Sequence, residues 1–155
     1  MDDALEIRAD DLSDPAVRAL VEAHLTGMHE SSPPESVHAL GADRLAAPGI
    51  AFFSAWLGGE LAGIGALATL DAERGEVKSM RVAEPFLGRG VGRRMLRHLL
   101  EIARSQGLSS VWLETGSTAD FAPAVRLYES EGFVACGPFG DYSEDPFSVF
   151  MTRGL

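Results

Sequence analysis

Apolar positions along the chain switch between two periods, and the switches outline the elements. Leu5 and Ile7 alternate with charged neighbours, which predicts a short strand over Leu5–Arg8. Asp14-Pro15 has the form of a helix N-cap followed by proline at the first helical position. Behind it Val17, Leu20, Val21, His24, Leu25 and Met28 recur at helical spacing until Ser31-Ser32-Pro33-Pro34 breaks the pattern. Glu35–Ala46 predicts a second, short helix. Ile50–Leu57 is apolar and aromatic, Gly58-Gly59 marks a hairpin turn, and Leu61–Leu70 is the returning strand. After a turn over Asp71–Gly75, Glu76–Val82 is apolar enough to be a central strand.

The second half alternates strands with helices. A long helix is predicted over about residues 90–106. Its apolar face carries Val91, Met95, Leu99, Ile102 and Ala103, with Leu96 and Leu100 beside them and the arginines opposite. Gly107 is a fitting stop. Val111–Glu114 is a strand, Ala122–Glu131 a helix stopped at Gly132, and Phe133–Cys136 and Ser148–Thr152 are strands. The order is β-α-α-β-β-β-α-β-α-β-β, an α/β layout with a mixed sheet of about six to seven strands flanked by about four helices. An antiparallel meander lies in front and a β-α-β-α-β portion behind. The 155 residues fit one domain, 1–155.

Charge sharpens this picture. The net charge is −10, which argues against a nucleic-acid or acidic-lipid partner, both being polyanions. No apolar run is long enough for a membrane span, and the acidic start Met1-Asp2-Asp3 is unlike a signal peptide. A cytoplasmic location is the expectation. One cysteine, Cys136, excludes an internal disulfide, and no metal site is expected from the scattered histidines. Within this acidic chain, residues 76–106 hold 7 bases against 3 acids, a local +4. That window is either a solvated arginine face or an anion site for a phosphorylated small molecule.

Gly88-Arg89-Gly90-Val91-Gly92 lies in that window, between a strand and a helix. Alternating glycines let backbone N–H groups approach a ligand, and the positive end of the helix dipole faces the same spot. Arg89, Arg93 and Arg94 add full charges, so a diphosphate suits the loop. The loop matches neither the dinucleotide fingerprint nor the Walker A pattern, since Arg93 or Met95 stands where the last glycine belongs and no Gly-Lys-Ser/Thr follows.

Leu87-Gly88-Arg89-Gly90-Val91-Gly92 resembles the Gln/Arg-x-x-Gly-x-Gly/Ala signature of the GNAT superfamily of acyl-CoA-dependent N-acetyltransferases, with Leu87 in place of Gln or Arg. Phe121 through Tyr128, followed by Gly132-Phe133, resembles the family's Asn-x-x-Ala-x-x-Leu-Tyr element. Phe121 replaces Asn, while Ala124, Leu127 and Tyr128 match. The stretch from Gly27 to His38 resembles a bacterial, YsnE-like subgroup. The resemblance implies a GNAT-like fold, acetyl-CoA as co-substrate, a small-molecule primary-amine acceptor that is either a small metabolite or amino-acid-like, and an association that can be homodimeric. It places Met80, Arg81, Val82, Leu87, Gly88, Arg89, Gly90, Val91, Gly92, Arg93, Ala124, Leu127 and Tyr128 at the cofactor.

The implied reaction is direct acyl transfer from a thioester to an amine. By position, Met80 supplies the backbone N–H for the thioester oxygen and Val82 pairs with the pantetheine arm. Tyr128 matches the family tyrosine that protonates the departing thiolate, the alternative being an aromatic that packs its helix on the sheet. Glu76 matches a position that serves as base in some members, or else is a carboxylate at an exposed strand start. Glu114 and Lys78 are further titratable candidates. His29 and Glu30 close the first helix, where the family lines its acceptor pocket, and His29 is either an acceptor contact or a solvent-facing side chain. Without turnover, the same residues would make a CoA-binding sensor module.

Overall fold

The computed structural model describes residues 4–33 and 40–155, with the backbone alone at His29 and Ser31. Seven strands form one sheet in the order β1-β2-β3-β4-β5-β7-β6. They are β1 (Glu6–Ala9), β2 (Ile50–Leu57), β3 (Glu60–Thr69), β4 (Arg74–Val82), β5 (Ser110–Gly116), β6 (Val134–Cys136) and β7 (Ser148–Gly154). The helices are α1 (Pro15–Ser31), α2 (Ala42–Leu45), α3 (Val91–Ser105) and α4 (Ala122–Ser130). β1 to β4 form the expected antiparallel meander, and β5 lies parallel to β4 across α3. β7 then inserts antiparallel between β5 and β6, an order that local pattern does not encode. The helix expected over 35–46 is present as the single turn α2; residues 34–39 lie outside the described residues.

Local chemistry explains the boundaries. Asp14 caps α1 by accepting the Ala16 N–H at 2.8 Å, and Pro15 opens the helix. Gly58 and Gly59 take φ of +60° and +82°, the left-handed pair that a two-residue hairpin requires. The sheet is covered on both faces. Val17 and Val21 of α1 pack with Phe52, Ile64 and Leu45 on one side. On the other, α3 buries Met95, Leu96, Leu99 and Ala103 against Phe53, Leu67 and Val77, with Tyr128 of α4 beside them. Gly65 lets α3 lie close on β3, since a Cβ there would stand 2.7 Å from Met95.

Two irregularities in β4 create the site. Pairing with β3 runs from Thr69↔Gly75 to Ala66↔Lys78 and resumes at Ile64↔Arg81. Ser79 and Met80 therefore oppose Gly65 alone, which is a β-bulge, and Ser79 carries φ of +54°. Pairing with β5 stops at Val77↔Leu113. Beyond that pair a cleft opens, lined by the ends of both strands.

Candidate active site

The cleft has a large outer part and a small polar inner end. The outer cavity, about 590 Å³, is lined by His24, Gly27, Met28 and Glu30 of α1, Met80, Arg81 and Val82 of β4, Leu87, Gly92, and the Phe121–Tyr128 segment. The inner cavity, about 100 Å³, shares His24, Met28, Met80, Phe121, Ala124 and Tyr128 with it. It adds Glu76, Lys78, Ser79, Glu114, Thr115 and Tyr142.

At the mouth, Gly88 and Gly90 have φ of +76° and +81°, and Gly90 caps α3 without any side-chain hydrogen bond. The first N–H groups of a 15-residue helix are thus left for a ligand, at the positive end of the helix dipole. A Cβ added at Gly92 would come within 3.4 Å of Leu127 and 3.5 Å of Val82, so the loop lies close against β4 and α4. A pyrophosphate fits this backbone. Leu87 is 61% exposed beside it, and the Arg89 guanidinium stacks 5.4 Å from the Phe86 ring centre. Arg93 is directed elsewhere: it binds Glu131 and Ser130 Oγ, and Arg97 reaches both Glu131 oxygens at 3.0 Å. Part of the basic window therefore ties α3 to the end of α4.

The inner end is a web of titratable groups. Glu76, 6% exposed, accepts on one carboxylate oxygen from the Tyr142 hydroxyl at 2.5 Å and from Lys78 Nζ at 3.1 Å. Lys78 also donates to the Tyr142 oxygen at 3.0 Å. Burial, then the Glu76 charge, holds the Tyr142 phenol well above its ordinary value. Glu114 accepts from Ser148 Oγ at 2.7 Å. Burial pushes its carboxyl up to about 7, against weaker downward pulls from Ser148 and Lys78. Burial, aided by the Glu114 charge, pushes the Tyr128 phenol up to about 12, so it stays protonated. Burial and then the Arg81 charge take His24 down to about 4, a neutral imidazole. Its Nδ1 and the Ser79 hydroxyl are buried without a hydrogen-bond partner among the described residues.

The structure thus brings Tyr128, Glu76, Met80 and Glu114 to one cavity, and Arg81, Val82, Leu87, Gly92, Ala124, Leu127 and Glu30 to the other. Gly88, Arg89, Gly90 and Val91 form the loop and the start of α3. The His29 side chain lies outside the described residues. The sequence reading missed Tyr142, which arrives from the Pro- and Gly-containing segment before β7, and His24, whose helical spacing marked it as an ordinary buried position. Tyr142 is fixed by aromatic packing on Phe139 and Phe150, a tertiary contact with no local signal. Phe121, in place of Asn, lies over Gly116, where a Cβ would come within 2.1 Å of its ring.

A parallel strand pair that parts at a bulge, with an uncapped helix at its mouth and an acid–base web at its floor, defines a cleft for group transfer from a phosphate-bearing donor. Residues 16–133 match the family model of the Acetyltransferase (GNAT) family. The chain belongs to this family and is an acetyltransferase. It is 52% identical over 151 residues to the N-acetyltransferase YsnE of Bacillus subtilis (strain 168), covering 97% of this chain and 100% of that one. A crystal structure of a Klebsiella pneumoniae protein assigned as an acyl-CoA N-acyltransferase superposes with a TM-score of 0.80 at 25% identity, over 97% of each chain. A GNAT family acetyltransferase from Elizabethkingia anophelis, with acetyl-CoA bound, shares the fold at a TM-score of 0.70 and 20% identity, over 99% of this chain and 100% of that one. Among the described residues no helix is long and apolar enough to cross a membrane.

Proposed function

We propose that residues 1–155 act as one cytoplasmic N-acetyltransferase domain that moves the acetyl group of acetyl-CoA directly to a primary amine of a small, amino-acid-like molecule. The observation that carries this reading is the meeting of Glu114 and Tyr128, whose proton affinities burial raises to about 7 and about 12, in the cavity beside the Met80 bulge. An ammonium must lose a proton before its nitrogen can attack, and Glu114, near neutral in its titration, takes it. Met80 has no register partner on β3, which supports a role for its N–H as donor to the carbonyl oxygen as charge gathers there. Tyr128 holds its proton until the C–S bond breaks and then gives it to the departing sulfur. The amine nitrogen gains the acyl carbon as the C–S bond breaks, the thiol leaves with the tyrosine proton, and the second proton shed by the acylated nitrogen restores the Tyr128 phenol.

This division of labour moves the base from Glu76 to Glu114. Glu76 already accepts two hydrogen bonds on one oxygen, and its place is to hold Lys78 and Tyr142 at the wall of the inner cavity. The loop Gly88–Gly92 and the start of α3 would hold the pyrophosphate through backbone N–H groups, with Val82 along the pantetheine arm. Calorimetric titration with acetyl-CoA, CoA and ATP tests the reading. Binding of both CoA forms and not of ATP is expected; ATP binding without acetyl-CoA binding would overturn it.

A further inference from the structure

Arg81 stands out among the cations of the cleft. It faces Ile64 in register, and its guanidinium lies on the α1 side of the sheet. Gly27 makes room for it: a Cβ there would stand 2.7 Å from Arg81 Nη1. Several other arginines meet carboxylates, as Arg74 does Asp71 and Arg93 and Arg97 do Glu131. Arg81 is half-buried and has no carboxylate or hydrogen-bond acceptor among the described residues, although Glu30 and Glu84 line the same cavity. A half-buried guanidinium that lines an open cavity and meets no carboxylate among the described residues is suited to an anion that arrives with a ligand.

Two anions could come. The cofactor phosphates have their place at Gly88–Gly92, where α3 begins on the opposite face of the sheet. Arg81 instead neighbours His24 and Met28, which also line the inner cavity with Glu114 and Tyr128. In that cavity the Lys78 ammonium is already matched by Glu76, so the inner end favours a cation and repels a second carboxylate. His24, lying between the two ends, is neutral and adds no rival charge.

We propose that Arg81 anchors a carboxylate of the acceptor, so that the enzyme acetylates amines that carry a carboxylate, with the amine turned toward Glu114 and the carboxylate toward α1. The proposal rests on the acetyltransfer reading above. The planar fork of arginine binds a carboxylate through two parallel N–H···O bonds, which a point-charge ammonium cannot reproduce.

The test uses the whole chain and matched amine pairs: phenylalanine with phenethylamine, histidine with histamine, lysine with cadaverine. Thiol release from acetyl-CoA is followed for wild type, Arg81→Gln and Arg81→Lys, with calorimetric acetyl-CoA binding measured in parallel. A carboxylated member should be preferred at least about tenfold in kcat/KM, and Arg81→Gln should raise its KM by at least about tenfold. Acetyl-CoA Kd should stay within about twofold, and Arg81→Lys should fall between; it carries the test if Arg81→Gln melts early. Preference for the decarboxylated members overturns the proposal. So does absence of turnover on every carboxylated amine by a protein that binds acetyl-CoA, or an Arg81→Gln variant that loses acetyl-CoA affinity while its acceptor KM is unchanged. Wild-type protein that fails to bind acetyl-CoA overturns the acetyltransfer reading itself, and the proposal with it.

Discussion

Replacing Glu114 by glutamine should stabilise the protein in alkaline solution while disabling it. Burial lifts the carboxyl from its ordinary 4.5 to about 7, so the folded chain keeps a proton that the unfolded chain has released. Between those values the folded state binds more protons, and stability falls as pH rises. The loss begins near 4.5 and is complete above 7. At about 1.4 kcal/mol per tenfold, the charged form is disfavoured by about 3 kcal/mol. Glutamine keeps the shape and can still meet Ser148 Oγ, but has no proton to release. The Glu114→Gln variant should therefore exceed wild type by about 1 kcal/mol at pH 5.5 and by about 3 kcal/mol at pH 8.5, measured by urea unfolding. Its kcat/KM should drop by about two to four orders of magnitude, and the acid limb near pH 7 should vanish. A stability gain that does not grow with pH would refute the buried-carboxyl reasoning. An acid limb that survives in the variant would refute Glu114 as the base.

The other predictions concern separate parts of the molecule. Tyr128→Phe should bind acetyl-CoA within about twofold of wild type yet lose at least about a hundredfold in kcat, read by thiol release at saturating substrates. A Cβ added at Gly90 would meet no atom within 4 Å, so the main cost of Gly90→Val is the φ of +81°, of order 1–3 kcal/mol. It should melt lower but still fold, and calorimetry should show acetyl-CoA affinity reduced by at least about tenfold. Asp14→Ala removes the α1 cap and about 1 kcal/mol of stability, lowering Tm by a few degrees with kcat unchanged.

Much of this molecule is written locally in its sequence. Asp14-Pro15, Gly58-Gly59 and the glycines at 88, 90 and 107 act through their own φ angles and N–H groups, so the chain pattern reveals the elements they bound. The amphipathic face of α3 is as legible, because Met95, Leu99 and Ala103 must all meet one sheet. The left-handed turns of the glycine loop were legible for the same reason. What escaped depends on partners far along the chain. The insertion of β7 between β5 and β6 is a pairing choice that no window of ten residues encodes. Glu76 looked like a free base until Tyr142, from a loop 66 positions on, was found donating to it. The pairing of Arg93 with Glu131 likewise depends on the end of α4, 38 positions on, and has no local signal. The resemblance places Arg81 at the cofactor; that its guanidinium lies beside Gly27 of α1 is a tertiary contact with no local signal.

In the proposed reaction the acetyl group passes directly from acetyl-CoA to an amine within one ternary complex. Initial rates of thiol release, with acetyl-CoA and an amine acceptor varied together, test it most directly. Release should require both substrates, the double-reciprocal lines should intersect, and no acetyl group should be left on the protein. Parallel lines, with a protein-bound acetyl group formed from acetyl-CoA in the absence of amine, would contradict direct transfer.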